Sequence, residues 1–285
     1  MIEGWQWDET LFLGSAPYYV RGRPPYSADL GERLAELLDL DGHGRLIDVG
    51  CGPGILALAL AGSFDEVVGV DPDPAMLKEA ERHAVESGIA NVCWAMSRAE
   101  DLPADFGPFR MATFGRSFHW MHRSRVAALM REMLEPGGAF VHVNSGSHDV
   151  PGAITDLPFP VPPLAAIREL VQQYVGPTRR AGQGVIEHGT KYDLAEVLSN
   201  AGFVQPQSVR VPLEGVLVRT SDDLVAFVFS RSGSAPHLFG DRLGEFEADL
   251  RRLLNRASPS GKFAEQPPDT QLEIWRTPQP EVAVR

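Results

Sequence analysis

Short apolar runs and longer segments of three-to-four-residue apolar spacing alternate through the first half of the chain. The runs cover 46–50, 66–70, 91–96, 109–114 and 138–144, and they read as buried strands. Between them, 54–62, 74–87 and 124–134 carry helical spacing. A helix capped by Ser27 precedes them, with Leu30, Leu34, Leu37 and Leu38 on one face. Asp73 followed by Pro74 marks a helix start, and Gly137 is the glycine expected after a helix end. Cys93 falls in a strand predicted to be buried. Alternation of this kind predicts an α/β fold with a mostly parallel sheet and helices on both faces.

Past Asn144 the pattern breaks. Pro and Gly crowd 145–189 around one amphipathic helix, Pro163 to Val175. Regular patterning returns with a helix near 192–201, a strand over 204–211 and a last strand over 271–275. A second interruption carries helices over 222–232 and 241–257. Residues 1–26 are aromatic and irregular. The predicted organisation is therefore an arm over 1–26, a core over 27–144 and an insertion over 145–189. The rest of the core follows over 190–285, interrupted by helices at about 222–257.

Composition narrows the function. With 285 residues, 44% hydrophobic and 22% charged, the chain has the makeup of a globular protein with a substantial core. No apolar run approaches membrane-spanning length, and Met1-Ile2-Glu3-Gly4 does not open a leader, so a cytoplasmic protein is expected. Two cysteines, Cys51 and Cys93, make no disulfide framework. Lys and Arg number 26 against 38 Asp and Glu, a net charge of −12 that disfavours a nucleic-acid partner and favours a small molecule.

The chemistry concentrates after the first strand of the core. Leu46-Ile47-Asp48-Val49-Gly50-Cys51-Gly52-Pro53-Gly54 runs from a strand into a glycine loop and then a helix. Glycines there allow a sharp turn and close approach of a ligand, and the amides opening the helix face it. The next strand ends in Asp71, suited to accept hydrogen bonds from ribose hydroxyls. A dinucleotide site wants a third small residue where Ile55 stands, which disfavours a dinucleotide and with it an NAD-dependent oxidoreductase.

The G-x-G-x-G spacing with Asp48 two places ahead resembles the first motif of the class I S-adenosylmethionine-dependent methyltransferases. Gly69-Val70-Asp71-Pro72-Asp73-Pro74-Ala75-Met76-Leu77 resembles their second motif. Arg98-Ala99-Glu100-Asp101-Leu102-Pro103 resembles the adenine-side motif, and Phe118-His119-Trp120 the segment after the fourth strand. Leu134-Glu135-Pro136-Gly137-Gly138 resembles the turn into the fifth, and Tyr19 to Tyr26 a segment that closes over the cofactor in a methyltransferase type 11-like subgroup. The resemblance implies a Rossmann-like seven-stranded sheet with an antiparallel last strand. It also implies S-adenosylmethionine as cofactor, S-adenosylhomocysteine as product and a small-molecule acceptor methylated on O, N or C.

By the same resemblance, Tyr19, Arg23, Asp48, Gly50, Cys51, Gly52, Gly54, Asp71, Pro72, Met76, Ala99, Glu100 and Arg116 are candidate cofactor contacts. Asp71 would take the ribose, Asp48 the methionine ammonium and Arg23 its carboxylate. The amide of Ala99 and the carboxylate of Glu100 would take the adenine. Arg98 stands where the family often has an acid, and Arg110 departs from it similarly. His119 is the candidate general base, its imidazole suited to proton removal near neutrality; the alternative is a hydrogen bond that shapes its loop. Phe118 and Trp120 read as cofactor wall and core. His119, His122, His142, His148 and His188 lack a Cys or carboxylate at ligand spacing, so no metal is expected. A monomer or homodimer is expected. The competing function is a non-catalytic cofactor-binding or regulatory protein on the same fold.

Overall fold

A computed structural model describes residues 8–145, 156–177, 180, 181, 184, 185 and 193–279. They fall into two compact units. One comprises 27–146, 190–211 and 270–285, the other 1–26, 147–189 and 212–269.

The first unit is built on strands β1 (Arg45–Val49), β2 (Glu66–Asp71), β3 (Val92–Met96), β4 (Phe109–Gly115) and β5 (Leu134–Ser145). Further along the chain lie β8 (Val204–Val211) and β11 (Thr270–Arg276). Their order is β3-β2-β1-β4-β5-β11-β8. The first five run parallel, and β11 runs antiparallel to both of its neighbours. Leu46, Ile47, Val49, Val67, Val68 and Val70 are fully enclosed, as strands covered on both faces require. Before β1 lies α2 (Leu30–Leu38), and between the strands lie α3 (Ile55–Leu60), α4 (Pro74–Ser87), α5 (Arg123–Met133) and α7 (Leu194–Asn200). Phe114, Phe118 and Phe140 form the centre of the core with Val126, Met130 and Met133 of α5. The rings of Phe114 and Phe140 stack at 4.5 Å, and Phe118 meets each edge-on.

Several local expectations hold: α4 opens with Asp73 accepting from the Ala75 amide and stops at Gly88, in left-handed conformation. Others need correction. Ser27 does not cap α2; the helix starts at Leu30 with Asp29 before it, and Ser27 only offers its carbonyl to the Leu30 amide. Gly137 does not stop α5, which passes at Met133 directly into extended Leu134. Gly137 instead takes φ +79 where the β4–β5 register shifts. Cys93 is exposed rather than buried, because β3 is an edge strand.

The second unit gathers α1 (Ala16–Gly22), α6 (Leu164–Val175), α8 (Ser221–Phe229) and α9 (Leu243–Ala257). It also holds the short ladders β6 (Arg180–Ala181) with β7 (Gly184–Val185), and β9 (Leu217–Thr220) with β10 (Lys262–Glu265). Its own apolar cluster includes Ile167, Leu224, Phe229, Phe239, Phe246, Leu250 and Phe263. The arm expected to be irregular contains α1, which lies so close to α8 that a Cβ on Gly22 would sit 2.3 Å from the Ala226 carbonyl oxygen. Buried Arg219 joins the pieces, donating to the carbonyls of Gly22 (2.6 Å) and Asp223 (3.0 Å) and to Glu265 of β10 (3.2 Å). Seven helical residues are too few to form alone; tertiary packing holds them.

Candidate functional site

Chain reversal after β1 is secured by backbone bonds to its neighbour: the amides of Gly50 and Cys51 both donate to the Val70 carbonyl. Gly50, Gly52 and Gly54 all have positive φ, but for different reasons. A Cβ on Gly50 would lie 2.6 Å from that of Ser117, and one on Gly54 would lie 2.6 Å from the Trp94 ring. At Gly52 nothing lies within 4 Å. Packing therefore explains two of the glycines, and the third borders open space, where a close-approaching ligand has room.

Two carboxylates stand beside that space. Asp71 closes β2, its Oδ2 accepting from the Gly52 amide (2.8 Å) and its Oδ1 from the Asp73 amide (2.9 Å). Burial pushes its carboxyl up to about 6 despite both bonds. Asp48 lies on β1 with its Oδ1 accepting from the Thr113 hydroxyl at 2.8 Å. Its Oδ2 is enclosed and makes no hydrogen bond. Burial raises Asp48 to about 7; the Thr113 hydroxyl and the Ala57 amide oppose the rise, and Asp71 adds to it. An enclosed carboxylate oxygen without a donor is costly, and a cation or N–H donor beside it relieves the cost. That is the need an ammonium group meets. Cys51, between the two acids, is buried, and its thiol is driven well up by burial and by both carboxylates. It is a packing residue rather than a nucleophile.

Most of the remaining predicted contacts lie in the same unit. Pro72 follows Asp71, and Met76 is buried on the first turns of α4. Ser97 donates its amide to the Asp71 carbonyl, which brings the turn Ala99–Asp101 alongside. Ala99 and Glu100 are buried there, and Glu100 already accepts from the His122 amide at 2.7 Å, tying this turn to the start of α5. Arg116 takes a left-handed φ of 59° at the end of β4, its amide donating to Val143 of β5. His119 is half-buried in the turn Phe118–Trp120, its ring 4.7 Å from that of Trp120, while Phe118 is wholly core. Tyr19 and Arg23 belong to the other unit, where the Arg23 guanidinium lies 4.8 Å from the Tyr19 ring and donates to the Ser230 carbonyl.

The amides of Gly50, Cys51, Gly52 and Gly54 are all engaged within the protein. The loop thus offers shape and carboxylates. Three residues that sequence reasoning missed hold it: Thr113, Ser117 and Trp94. Ser117 donates its hydroxyl to the Val49 carbonyl at 2.5 Å. Strand register reveals two of them, because Thr113 and Trp94 are cross-strand partners of Asp48 and Gly69. Among the described residues no group of three His, Cys, Asp or Glu converges on a metal geometry; His148 and His188 lie outside them. His142 pairs instead with Glu273 at 3.2 Å.

A family model described as a methyltransferase domain matches residues 46–138. The 2-heptyl-1-hydroxyquinolin-4(1H)-one methyltransferase of Mycobacteroides abscessus is 32% identical over 117 residues, covering 40% of this chain and 51% of that protein. An uncharacterised RNA methyltransferase of Listeria monocytogenes is 34% identical over 94 residues, covering 33% of this chain and 20% of that one. The chain thus spans about half or less of the length of these relatives. The solved structure of a candidate type II methyltransferase from Anaeromyxobacter dehalogenans superposes with a TM-score of 0.50 at 22% identity, covering 90% of this chain and 99% of that one, a likeness of fold alone. Residues 46–138 thus form a methyltransferase domain, carried on a mostly parallel seven-stranded sheet with an antiparallel last strand, the Rossmann-like methyltransferase fold.

Proposed function

We propose that the chain transfers a methyl group from S-adenosylmethionine to a small-molecule acceptor, releasing S-adenosylhomocysteine. The observation that carries this is the open space at Gly52 flanked by two buried carboxylates at adjacent strand ends. Asp71 keeps lone pairs free for ribose hydroxyls after accepting from two amides, and Oδ2 of Asp48 awaits a cationic donor. When bound, the cofactor supplies a methyl group already activated on a sulfonium. The protein's part is to hold the acceptor in line behind that methyl, and positioning supplies much of the rate. His119, after β4, takes the proton where the acceptor must lose one.

Charge favours a small acceptor over RNA. The net charge is −12, and the basic pair Arg251–Arg252 is neutralised by neighbours. Arg251 bonds Asp222 and Glu247, and Arg252 bonds Asp249, which leaves neither poised for phosphate. The abscessus relative is named for a quinolone, a small aromatic acceptor, and this supports the same class here. The unit built from the insertions supplies acceptor choice, as segments following strand ends commonly do. We place the protein in the cytoplasm; no described helix is long and apolar enough to cross a membrane.

Calorimetry with S-adenosylhomocysteine tests the reading. The wild-type protein should bind it, and Asp71→Asn should lose affinity by roughly tenfold to a hundredfold, the worth of a hydrogen bond to a charged group. Unchanged affinity in Asp71→Asn sinks the assignment. A gel shift of single-stranded RNA at low salt by the wild-type protein would transfer the proposal to an RNA acceptor.

A further inference from the structure

We propose that Trp94 is the positioning residue of the cofactor loop: its indole is the floor that sets Gly54, and through it Gly52, at the height the cofactor needs. The proposal rests on the reading of this loop as the S-adenosylmethionine site. Trp94 sits on β3 directly across from Gly69 of β2. Its six-membered ring covers both glycines. A Cβ on Gly69 would lie 2.3 Å and 2.4 Å from Cζ3 and Cε3, and one on Gly54 would lie 2.6 Å from Cη2. Ala80 of α4, 3.2 Å from the Cβ position of Gly54, and the Cys51 sulfur, 3.1 Å from that of Gly69, close the same space. The far edge of the indole thus fills a slot that two missing side chains leave open, one on the sheet and one in the loop.

Core stability alone does not account for a tryptophan there. Its Nε1 is enclosed and makes no hydrogen bond, which is a cost to folding that an all-carbon ring would avoid. What the indole adds is reach, from the strand to the loop. From Gly54 the chain of contacts is short. The Gly54 amide donates to the Cys51 carbonyl at 3.1 Å and so closes the turn containing Gly52. Gly52 in turn donates to Asp71 at 2.8 Å. A loosened floor lets that turn drift from the acid, and a site misplaced by a fraction of an ångström binds poorly.

The test compares affinity for S-adenosylhomocysteine, by calorimetry well below each protein's melting temperature, in wild type, Trp94→Leu, Trp94→Phe and Phe203→Leu. Phe203 is an enclosed core residue packed on Phe140 and controls for general loss of packing. Trp94→Leu should weaken binding about tenfold or more, the scale typical of a residue supporting a site from outside it. Trp94→Phe should recover part of the loss, and Phe203→Leu should bind as wild type does. Equal affinity in Trp94→Leu and wild type overturns the proposal, and so does equal weakening in Phe203→Leu and Trp94→Leu. If Trp94→Leu does not fold, Trp94→Phe alone decides: it should bind more weakly than Phe203→Leu, and equal binding overturns the proposal. A wild-type protein that binds no S-adenosylhomocysteine refutes the cofactor reading itself, a distinct outcome.

Discussion

Asp48 shows how much one residue's surroundings matter. Burial raises it to about 7, from 3.8 in the unfolded chain, so between these values the folded protein holds a proton that the unfolded chain has released. Stability of the ligand-free protein should therefore decline as pH rises through that window, by up to ~1.4 kcal/mol per pH unit. Asp71, raised to about 6, adds to the fall over the lower part of it. Asp48→Asn should flatten the decline; parallel melting curves of wild type and variant from pH 5 to 8 would contradict the assignment. A second residue-level contrast concerns the glycines. Gly50→Ala should destabilise the fold, because the new methyl meets Ser117. Gly52→Ala meets no protein atom and should cost only the ~1–2 kcal/mol of left-handed backbone while weakening S-adenosylhomocysteine binding. Equal melting temperatures for the two variants would show that their surroundings are not as different as described.

Among elements, α1 depends on its neighbour. It is seven residues long, has no side-chain cap and is held against α8 through Gly22 and the carbonyl that Arg219 grips. Gly22→Ala places a methyl 2.3 Å from the Ala226 carbonyl oxygen, so the two helices must separate, an overpacking penalty of about 1–3 kcal/mol. Faster tryptic cleavage after Arg21 is the expected result. A cleavage rate equal to wild type would mean that α1 is not held by this contact. By contrast, α4 carries its own start and stop signals, Asp73-Pro74 and Gly88, and needs less from its surroundings.

At the scale of the molecule, two units have separate apolar clusters, one around Phe114, Phe118 and Phe140 and the other around Phe229, Phe239 and Phe246. Phe246 is fully enclosed, stacked 4.0 Å from Phe239 and meeting Tyr174 and Phe229 edge-on. Phe246→Ala should destabilise its unit by about 3–5 kcal/mol. In scanning calorimetry a transition should move down in this variant, while the transition that S-adenosylhomocysteine raises stays near its wild-type position. Saturation at a hundredfold excess over Kd should raise that second transition by ~2.7 kcal/mol of stability. A single transition moved by both the mutation and the ligand would show that the two clusters unfold together.

The strands and helices of the first unit were legible in the chain because each is set by local signals. Continuous apolar runs mark β1, β2 and β4, and capping residues mark α4 within a residue of its ends. Asp48, Gly52 and Asp71 were legible too, since a strand followed by a glycine loop and a strand-end acid are neighbours in sequence. What the sequence could not determine depended on contacts between distant segments. Whether Cys93 was buried turned on β3 being the outermost strand, and whether Gly137 ended a helix turned on the register between β4 and β5. Likewise, Thr113 reaches Asp48 and Trp94 underlies the glycine loop only because strands far apart in the chain lie side by side. The grouping of 1–26, 147–189 and 212–269 into one unit is of the same kind. Periodicity reports which face of an element is apolar, and only the folded chain decides what that face meets.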